Sequence, residues 1–126
     1  MFRRITTTFA LASAFFLGVS GTAYADDGFV FLDNALGSAY WHENGDSLEV
    51  CDDNPDGHGV RAYIYRPNPG GDAGNGTVLI KASDPSYNQI CTWASQDISE
   101  VISISIKICR YAGAWVGDCK WKVITR

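Results

Sequence analysis

The residues from 101 to 110 alternate between apolar and polar side chains, and this period of two restricts the fold more than any other feature. The apolar side is formed by Ile102, Ile104, Ile106 and Ile108, and the polar side by Ser103, Ser105 and Lys107. Such alternation is typical of a β-strand with one buried face and one solvent face. No stretch after residue 25 repeats its apolar residues every 3.6 positions, so helices are not expected to build the core.

Further short segments rich in Val, Ile, Tyr and Trp are separated by turn residues. They lie at residues 29–32, 39–42, 47–51, 59–66, 77–82, 87–93 and 119–125. We predict one hairpin from 101–110 and 119–125 with a loop at 111–118, and a second from 47–51 and 59–66 around the turn 52–57. Residues 67–76 are rich in glycine and proline and indicate an exposed, mobile connection. Short strands spaced about ten residues apart predict an all-β fold, a small antiparallel two-sheet β-sandwich.

Residues 1–25 have the three parts of a secretory signal peptide. Arg3 and Arg4 form a charged start, residues 9–19 form an apolar run, and Ala23-Tyr24-Ala25 is a small-x-small cleavage site. The apolar run is shorter than the roughly 20 residues that a membrane span requires. We therefore expect residues 26–126 to be released as a single secreted, extracellular β-domain.

The charge of the expected mature domain limits its partners. Without Arg3 and Arg4 it has eight basic and fourteen acidic residues, a net charge of −6. Such a balance repels phosphate backbones and anionic lipids. We expect other secreted proteins as partners, and neither nucleic acid nor a membrane surface.

Four cysteines lie in the mature part: Cys51, Cys91, Cys109 and Cys119. In an exported domain two disulfides are the default, and no Cys-x-x-Cys pair points to zinc or to redox chemistry. Three pairings are possible, and we favour Cys51 with Cys91 and Cys109 with Cys119. In the chain-entropy model these two loops contribute about 4 kcal/mol and about 2.5 to 3 kcal/mol.

The turn at 52–57 matches the first half of a calcium-binding loop. Asp52, Asn54 and Asp56 place oxygen ligands at alternate positions, and Gly57 permits the sharp bend. The second half does not match, because Tyr63 stands where a bidentate glutamate is required. An Asx-rich turn explains the same residues, so calcium is the one cofactor that we consider, and no other is expected.

The sequence contains no convincing catalytic set. Gly-x-Ser-x-Gly is absent, oxidised cysteines leave no thiol nucleophile, and Glu43, Glu49 and Glu100 form no recognisable pair for glycoside hydrolysis. We therefore predict that the protein is not an enzyme.

Aromatic side chains are plentiful. Arg61, Tyr63 and Tyr65 share one face of their predicted strand, which is the composition of a protein interface, although that face could also be covered. Tyr111 and Trp115 fall in the predicted loop and are candidate contact residues. Strand alternation assigns two other tryptophans to the core, Trp93 and Trp121.

The mature N-terminus, residues 26–37, joins an acidic start to the apolar residues Phe29, Phe31 and Leu32. A short extended arm of this kind can add as a strand to its own sheet or to the groove of a partner. We count these three residues as candidate binding residues.

A spaced pattern runs through most of the mature chain. It reads Gly45-Asp46-x-Leu48-x-Val50-Cys51-Asp52-x-x-x-Asp56-Gly57 and is followed by Cys91, the alternating strand that ends in Cys109, and Cys119. With it the chain resembles a group of small secreted proteins of filamentous actinobacteria. Some proteins of this appearance are the adaptor subunit of umbrella toxin particles and join a lectin-like subunit to a large toxin polypeptide. The resemblance implies that the arm at residues 26–37 docks into the lectin-like subunit.

These observations predict a secreted, non-enzymatic protein-interaction module, an adaptor or accessory subunit of an extracellular, antibacterial toxin-like complex that serves bacterial competition. An inhibitor of a secreted hydrolase such as a protease or amylase is the alternative, with residues 111–118 as the inhibitory loop. The chain lacks the Trp-Arg-Tyr tripeptide of small actinobacterial amylase inhibitors. A calcium-dependent carbohydrate-binding module, centred on the turn at 52–57, is a further alternative.

Overall fold

The computed structural model describes residues 27–69, 75–124 and 126. The predicted signal peptide, the first residue of the N-terminal arm and residues 70–74 of the predicted connection lie outside the described residues. Eight strands are present in the described part: β1 Gly28–Phe31, β2 Gly37–His42, β3 Ser47–Asp52, β4 Gly59–Pro67, β5 Gly76–Asp84, β6 Thr92–Ser95, β7 Ile104–Ala112 and β8 Trp115–Ile124.

The strands form two antiparallel sheets of four. The first sheet has the order β1-β2-β3-β6 and the second has the order β5-β4-β7-β8. The sheets pack face to face, with β2 against β7, β3 against β4 and β5, and β1 against β8. The predicted two-sheet sandwich is confirmed.

The core lies between the two sheets and follows the alternation of the strands. Trp41 and Leu48 come from the first sheet, and Ile64, Ile106 and Ile108 from the second; all five are fully buried. Burying one such side chain stabilises the fold by about 1.5 to 3 kcal/mol. Because the strands supply one buried residue at every second position, the remaining side chains point to the two outer faces.

Both favoured disulfides are confirmed, since Cys51 is bonded to Cys91 and Cys109 to Cys119. The first joins β3 to the segment that precedes β6. The second joins the neighbouring strands β7 and β8.

The hairpin predicted from residues 47–51 and 59–66 is wrong. β3 pairs with β2 and β6 in the first sheet, whereas β4 pairs with β5 and β7 in the second. The turn between them, which contains Gly57 with φ +76°, carries the chain from one sheet to the other. A tight turn between two alternating segments looks the same in sequence whether the segments pair or face each other across the core.

The loop predicted at residues 111–118 is also wrong. β7 continues to Ala112 and β8 begins at Trp115, so the turn consists of Gly113 and Ala114 only. Gly113 has φ +57°, a conformation that glycine adopts without strain. Residues 111–112 and 115–117 are therefore paired in the ladder between β7 and β8, and Asp118 lies where the register of that ladder shifts.

Two further predictions are wrong, one about the extent of a strand and one about the burial of a residue. The segment at 87–93 becomes a strand only from Thr92, and Ile90 before it is exposed. Ser105, expected on a solvent face, is fully buried. It lies opposite Tyr65 of β4, whose side chain is buried as well, so the outer side of the second sheet is covered at this point.

Candidate functional site

The outer face of the first sheet carries a row of aromatic rings. The row consists of Phe29 and Phe31 on β1, Tyr40 and His42 on β2, and Trp93 on β6. Residues paired across antiparallel strands lie on the same side of a sheet, and the register links Phe29 to Tyr40, Tyr40 to Glu49 and Glu49 to Trp93. We call these five residues the aromatic face.

Each ring of the aromatic face contacts the next. The centroids of neighbouring rings are 4.9 to 6.4 Å apart, in the range of favourable aromatic pairs. Phe29 and Phe31 meet edge to face at 5.3 Å, and His42 and Trp93 are stacked at 4.9 Å. The row therefore forms one continuous surface across the four strands of the first sheet, with rings from β1, β2 and β6.

Much of this surface is accessible to solvent. Phe29 is 49% exposed, Phe31 50% and Trp93 55%. Single exposed apolar residues are common, but a contiguous exposed group of large ones marks an interaction site. This group is therefore a candidate binding surface among the described residues.

Polar groups border the aromatic face. The Nε2 atom of His42 lies 3.0 Å from a carboxylate oxygen of Glu49, which is on the neighbouring strand β3. The hydroxyls of Ser47 and Ser95 are 3.0 Å apart, and Ser38 donates a hydrogen bond to Asp53. These contacts hold His42 and the strand ends in fixed positions and so fix the rings between them.

The N-terminal arm adds to its own sheet, the first of the two outcomes considered from the sequence. β1 pairs with β2 and is an edge strand, and a short 3-10 turn, Asp33–Ala35, leads into β2. Of the three candidate binding residues in the arm, Phe29 and Phe31 belong to the aromatic face. Leu32 is 3% exposed and packs in the core, so it presents no surface for a partner.

The candidate residues of the second sheet lie on the opposite side of the molecule. The guanidinium of Arg61 lies over the ring of Tyr111, 4.2 Å from its centroid, and its Nε atom donates to Ser83. Tyr63 and Tyr65 line a depression of about 320 Å³. Tyr65 is only 2% exposed.

Trp115 is about half exposed and meets the ring of His58 edge to face, with the centroids 5.6 Å apart. It lies at the hairpin between β7 and β8. The structure thus brings Arg61 and Tyr111 into contact and separates the residues of the second sheet from Phe29 and Phe31.

The assignment of Trp93 and Trp121 to the core is wrong. Trp93 is 55% exposed and Trp121 46%, whereas Trp41 is fully buried. Both exposed tryptophans stand on edge strands, where alternation does not tell which side meets the other sheet. The sequence analysis also missed Tyr40 and His42; their alternation with the buried Trp41 was the available signal.

The turn at 52–57 uses its carboxylates within the chain. Asp52 accepts a hydrogen bond from the backbone N–H of Asn54, and Asp56 accepts one from His58. Asp56 also pairs with Arg110 at 2.9 Å.

Burial raises the pKa of Asp52, and adjacent carboxylates add to this. Burial acts in the same direction on Asp56, but the bonds from His58 and Arg110 outweigh it and lower the pKa of Asp56. Arg110 already supplies a cation here, and the calcium site stays a prediction.

A second acidic cluster, formed by Glu43, Asp46 and Glu100, lies at the end of the first sheet. Arg126, whose side chain is 3% exposed, reaches into it, 2.7 Å from Glu43 and 3.2 Å from Glu100. The indole N–H of Trp41 also donates to Glu43. Burial raises the pKa of Glu43, but the bonds from Trp41 and Arg126 outweigh it and lower the pKa, whereas the hydrogen bond with Glu43 raises the pKa of Glu100. The cluster therefore anchors Arg126 to the sandwich.

Comparison of the chain with protein-family models, with curated proteins and with solved structures finds no match in any of the three. The described part of the chain contains no helix with the length and apolar character needed to cross a bilayer. The aromatic face and the two disulfides are therefore the observations from which a function has to be argued.

Proposed function

We propose that this protein is a secreted protein-interaction module that binds another extracellular protein through the aromatic face. The observation that carries the proposal is the contiguous exposure of Phe29, Phe31 and Trp93 on one side of a disulfide-bonded sandwich. A rigid platform loses little conformational entropy when it binds, so exposed aromatic side chains on it contribute efficiently to affinity.

The orientation of the rings favours a protein partner over a carbohydrate. Sugar binding requires aromatic side chains with a free ring face. His42 and Trp93 are stacked with an interplanar angle of 24°, so each uses one ring face on the other, and Phe31 stands edge-on to Tyr40 at 89°. A corrugated surface of this kind fits side chains that insert between the rings.

The non-enzymatic role predicted from the sequence stays part of the proposal, and three pairs of ionisable groups have contacts within the fold. His42 contacts Glu49, His58 lies beside Asp56, and Arg126 contacts the second acidic cluster.

The resemblance to umbrella-toxin adaptors suggests which complex to examine first. An adaptor needs a surface for each of two neighbours. The aromatic face provides one, and β1 is a candidate for the other because it is an edge strand of the first sheet, the kind of strand to which a partner can add a further strand. We therefore include an adaptor or accessory role in a secreted toxin-like complex in the proposal.

No observation favours the inhibitor alternative, because the loop on which it depended is a pair of strands joined by a tight turn. The calcium-dependent lectin depended on the turn at 52–57, where Arg110 binds Asp56.

The proposal is tested with a photocrosslinking residue placed at Phe31 in the protein secreted by its own host. We expect one discrete crosslinked polypeptide from culture supernatant, identified by mass spectrometry. Trp93→Ser should weaken binding of that purified polypeptide by at least about tenfold, as loss of a hot-spot side chain does.

Trp121→Ser is the matched control, because it removes the same residue type at similar exposure from the other sheet. It should leave the affinity unchanged. Equal weakening by both substitutions, or crosslinking from the second sheet instead, would contradict binding through the aromatic face.

A further inference from the structure

The basic residues of the described chain are concentrated on one of the two sheets. They are Arg61, Arg66, Lys81, Lys107, Arg110, Lys120, Lys122 and Arg126. Seven of them lie on strands of the second sheet, and Arg126 follows β8. The four strands of the first sheet contain no lysine or arginine. The molecule is therefore electrically polar across the sandwich.

Carboxylates lie on the first sheet and at its strand ends, and some of them are neutralised internally. Arg126 pairs with Glu43, and Lys120 pairs with Asp33 at 3.0 Å. Glu49, at the centre of the aromatic face, contacts the imidazole of His42, and Asp53 accepts from the hydroxyl of Ser38. No lysine or arginine is paired with Glu49 or Asp53 in the described residues, so the part of the aromatic face around Glu49 carries negative charge, whereas Lys122 lies at its Phe29 edge.

The rings add to this preference for cations. The face of an aromatic ring is electron-rich and attracts ammonium and guanidinium groups. The molecule contains an example at the edge of the aromatic face, where the Nζ atom of Lys122 lies 4.9 Å from the centroid of the Phe29 ring.

We propose that the partner of the aromatic face is a basic protein segment in which arginine or lysine alternates with apolar side chains. This inference rests on the proposed function and adds the chemistry of the partner. The apolar side chains pack between the rings, while the cations lie beside Glu49. Charge complementarity of this kind selects partners and accelerates association.

The test uses two short capped peptides, one with arginine alternating with valine and one with glutamate in place of arginine. Each is titrated into isotope-labelled protein comprising residues 26–126, and backbone and indole amide shifts are recorded. We expect the arginine peptide to shift the resonances of Phe29, Tyr40 and Trp93 and to bind more weakly as salt is added. The glutamate peptide should bind more weakly than the arginine peptide.

Glu49→Gln should weaken binding of the arginine peptide by about 1.5- to 5-fold, the range for one partly exposed charge pair. Asp118→Asn is the control, because it removes an exposed carboxylate from the second sheet and should leave binding unchanged. Equal binding of both peptides, shifts confined to the second sheet, or no shifts at all would overturn the inference.

The two proposals fail in different ways. If the crosslinked natural partner loses affinity with Trp93→Ser but is indifferent to Glu49→Gln and to salt, the aromatic face is the binding site and the basic partner is wrong. If Trp93→Ser has no effect, the aromatic face itself is wrong. Self-association of the protein, in which the second sheet of one copy covers the first sheet of another, would appear as a concentration-dependent increase in mass and would overturn a separate basic partner.

Discussion

At the scale of single residues, burial separates the roles of tryptophan in this chain. Trp41 is fully buried and its indole N–H donates to Glu43, so its ring fills the core and its nitrogen satisfies a carboxylate. Trp93 and Trp121 are about half exposed and contribute less to the core. Tryptophan therefore stabilises the core at position 41 and forms part of the surface at positions 93 and 121.

Among substitutions of single charged residues, replacement of Arg126 should lower the free energy of unfolding the most. Its guanidinium contacts Glu43 and donates to the carbonyl oxygens of Ser99 and Ile102. Arg126→Gln leaves a buried carboxylate without its cation, and we expect the free energy of unfolding to fall by about 3 kcal/mol in urea denaturation. Arg66→Gln, at an exposed arginine, should change it by less than about 0.5 kcal/mol. Equal effects would show that Arg126 does not stabilise the cluster.

At the scale of elements, the two disulfides differ in how much strand pairing already holds the segments that they join. Cys109–Cys119 joins β7 and β8, which also pair along most of their length. Cys51–Cys91 joins β3 to the segment before the short edge strand β6. The Cys51–Cys91 disulfide therefore restrains a longer and less firmly held stretch of chain.

Removing the two disulfides should have unequal effects. In the chain-entropy model, closure of the 40-residue loop contributes about 4 kcal/mol and closure of the 10-residue loop about 2.7 kcal/mol. The double substitution Cys51→Ala with Cys91→Ala should thus lower the melting temperature more than Cys109→Ala with Cys119→Ala. Calorimetry of both variants checks the order, and the reverse order would contradict the loop-entropy account.

At the scale of the whole molecule, the stability in acid depends on two kinds of carboxylate, those whose pKa is lowered in the folded protein and those whose pKa is raised. The pKa values of Glu43 and Asp56 are lowered in the folded protein. Their stabilising contribution is present above the unfolded pKa, about 4, and is lost as pH falls through the lowered folded value. The raised pKa values of Asp52 and Glu100 act in the opposite sense, because their protonation favours the fold.

The pairing of Asp56 with Arg110 gives a specific pH prediction. Asp56→Asn should lower stability at pH 7 and should reduce the loss of stability between about pH 5 and pH 2, because the group that gains a proton on unfolding is gone. Urea denaturation at a series of pH values measures both effects. An unchanged slope in acid would mean that Asp56 is not ionised more readily in the folded state.

The sequence by itself determined the class of fold and limited its disulfides to three pairings, of which the favoured one is present. Period-two alternation at residues 101–110 and in the shorter segments required strands with one buried side, and four cysteines in a small β-domain left few pairings. These properties depend on neighbours along the chain, which is why they could be predicted from it. Phe29 and Phe31 were also identified from the sequence, as apolar residues of a predicted N-terminal arm that adds as a strand to its own sheet or to a partner.

Only the tertiary structure decided which strands pair and which side of an edge strand is open. β3 and β4 look like a hairpin in sequence but lie in different sheets, and Trp93 looks like a core residue but faces solvent. The aromatic face combines residues from β1, β2 and β6 that are up to 64 positions apart. Such a surface exists only once the strands have packed, because burial depends on which sheet covers which face rather than on local alternation.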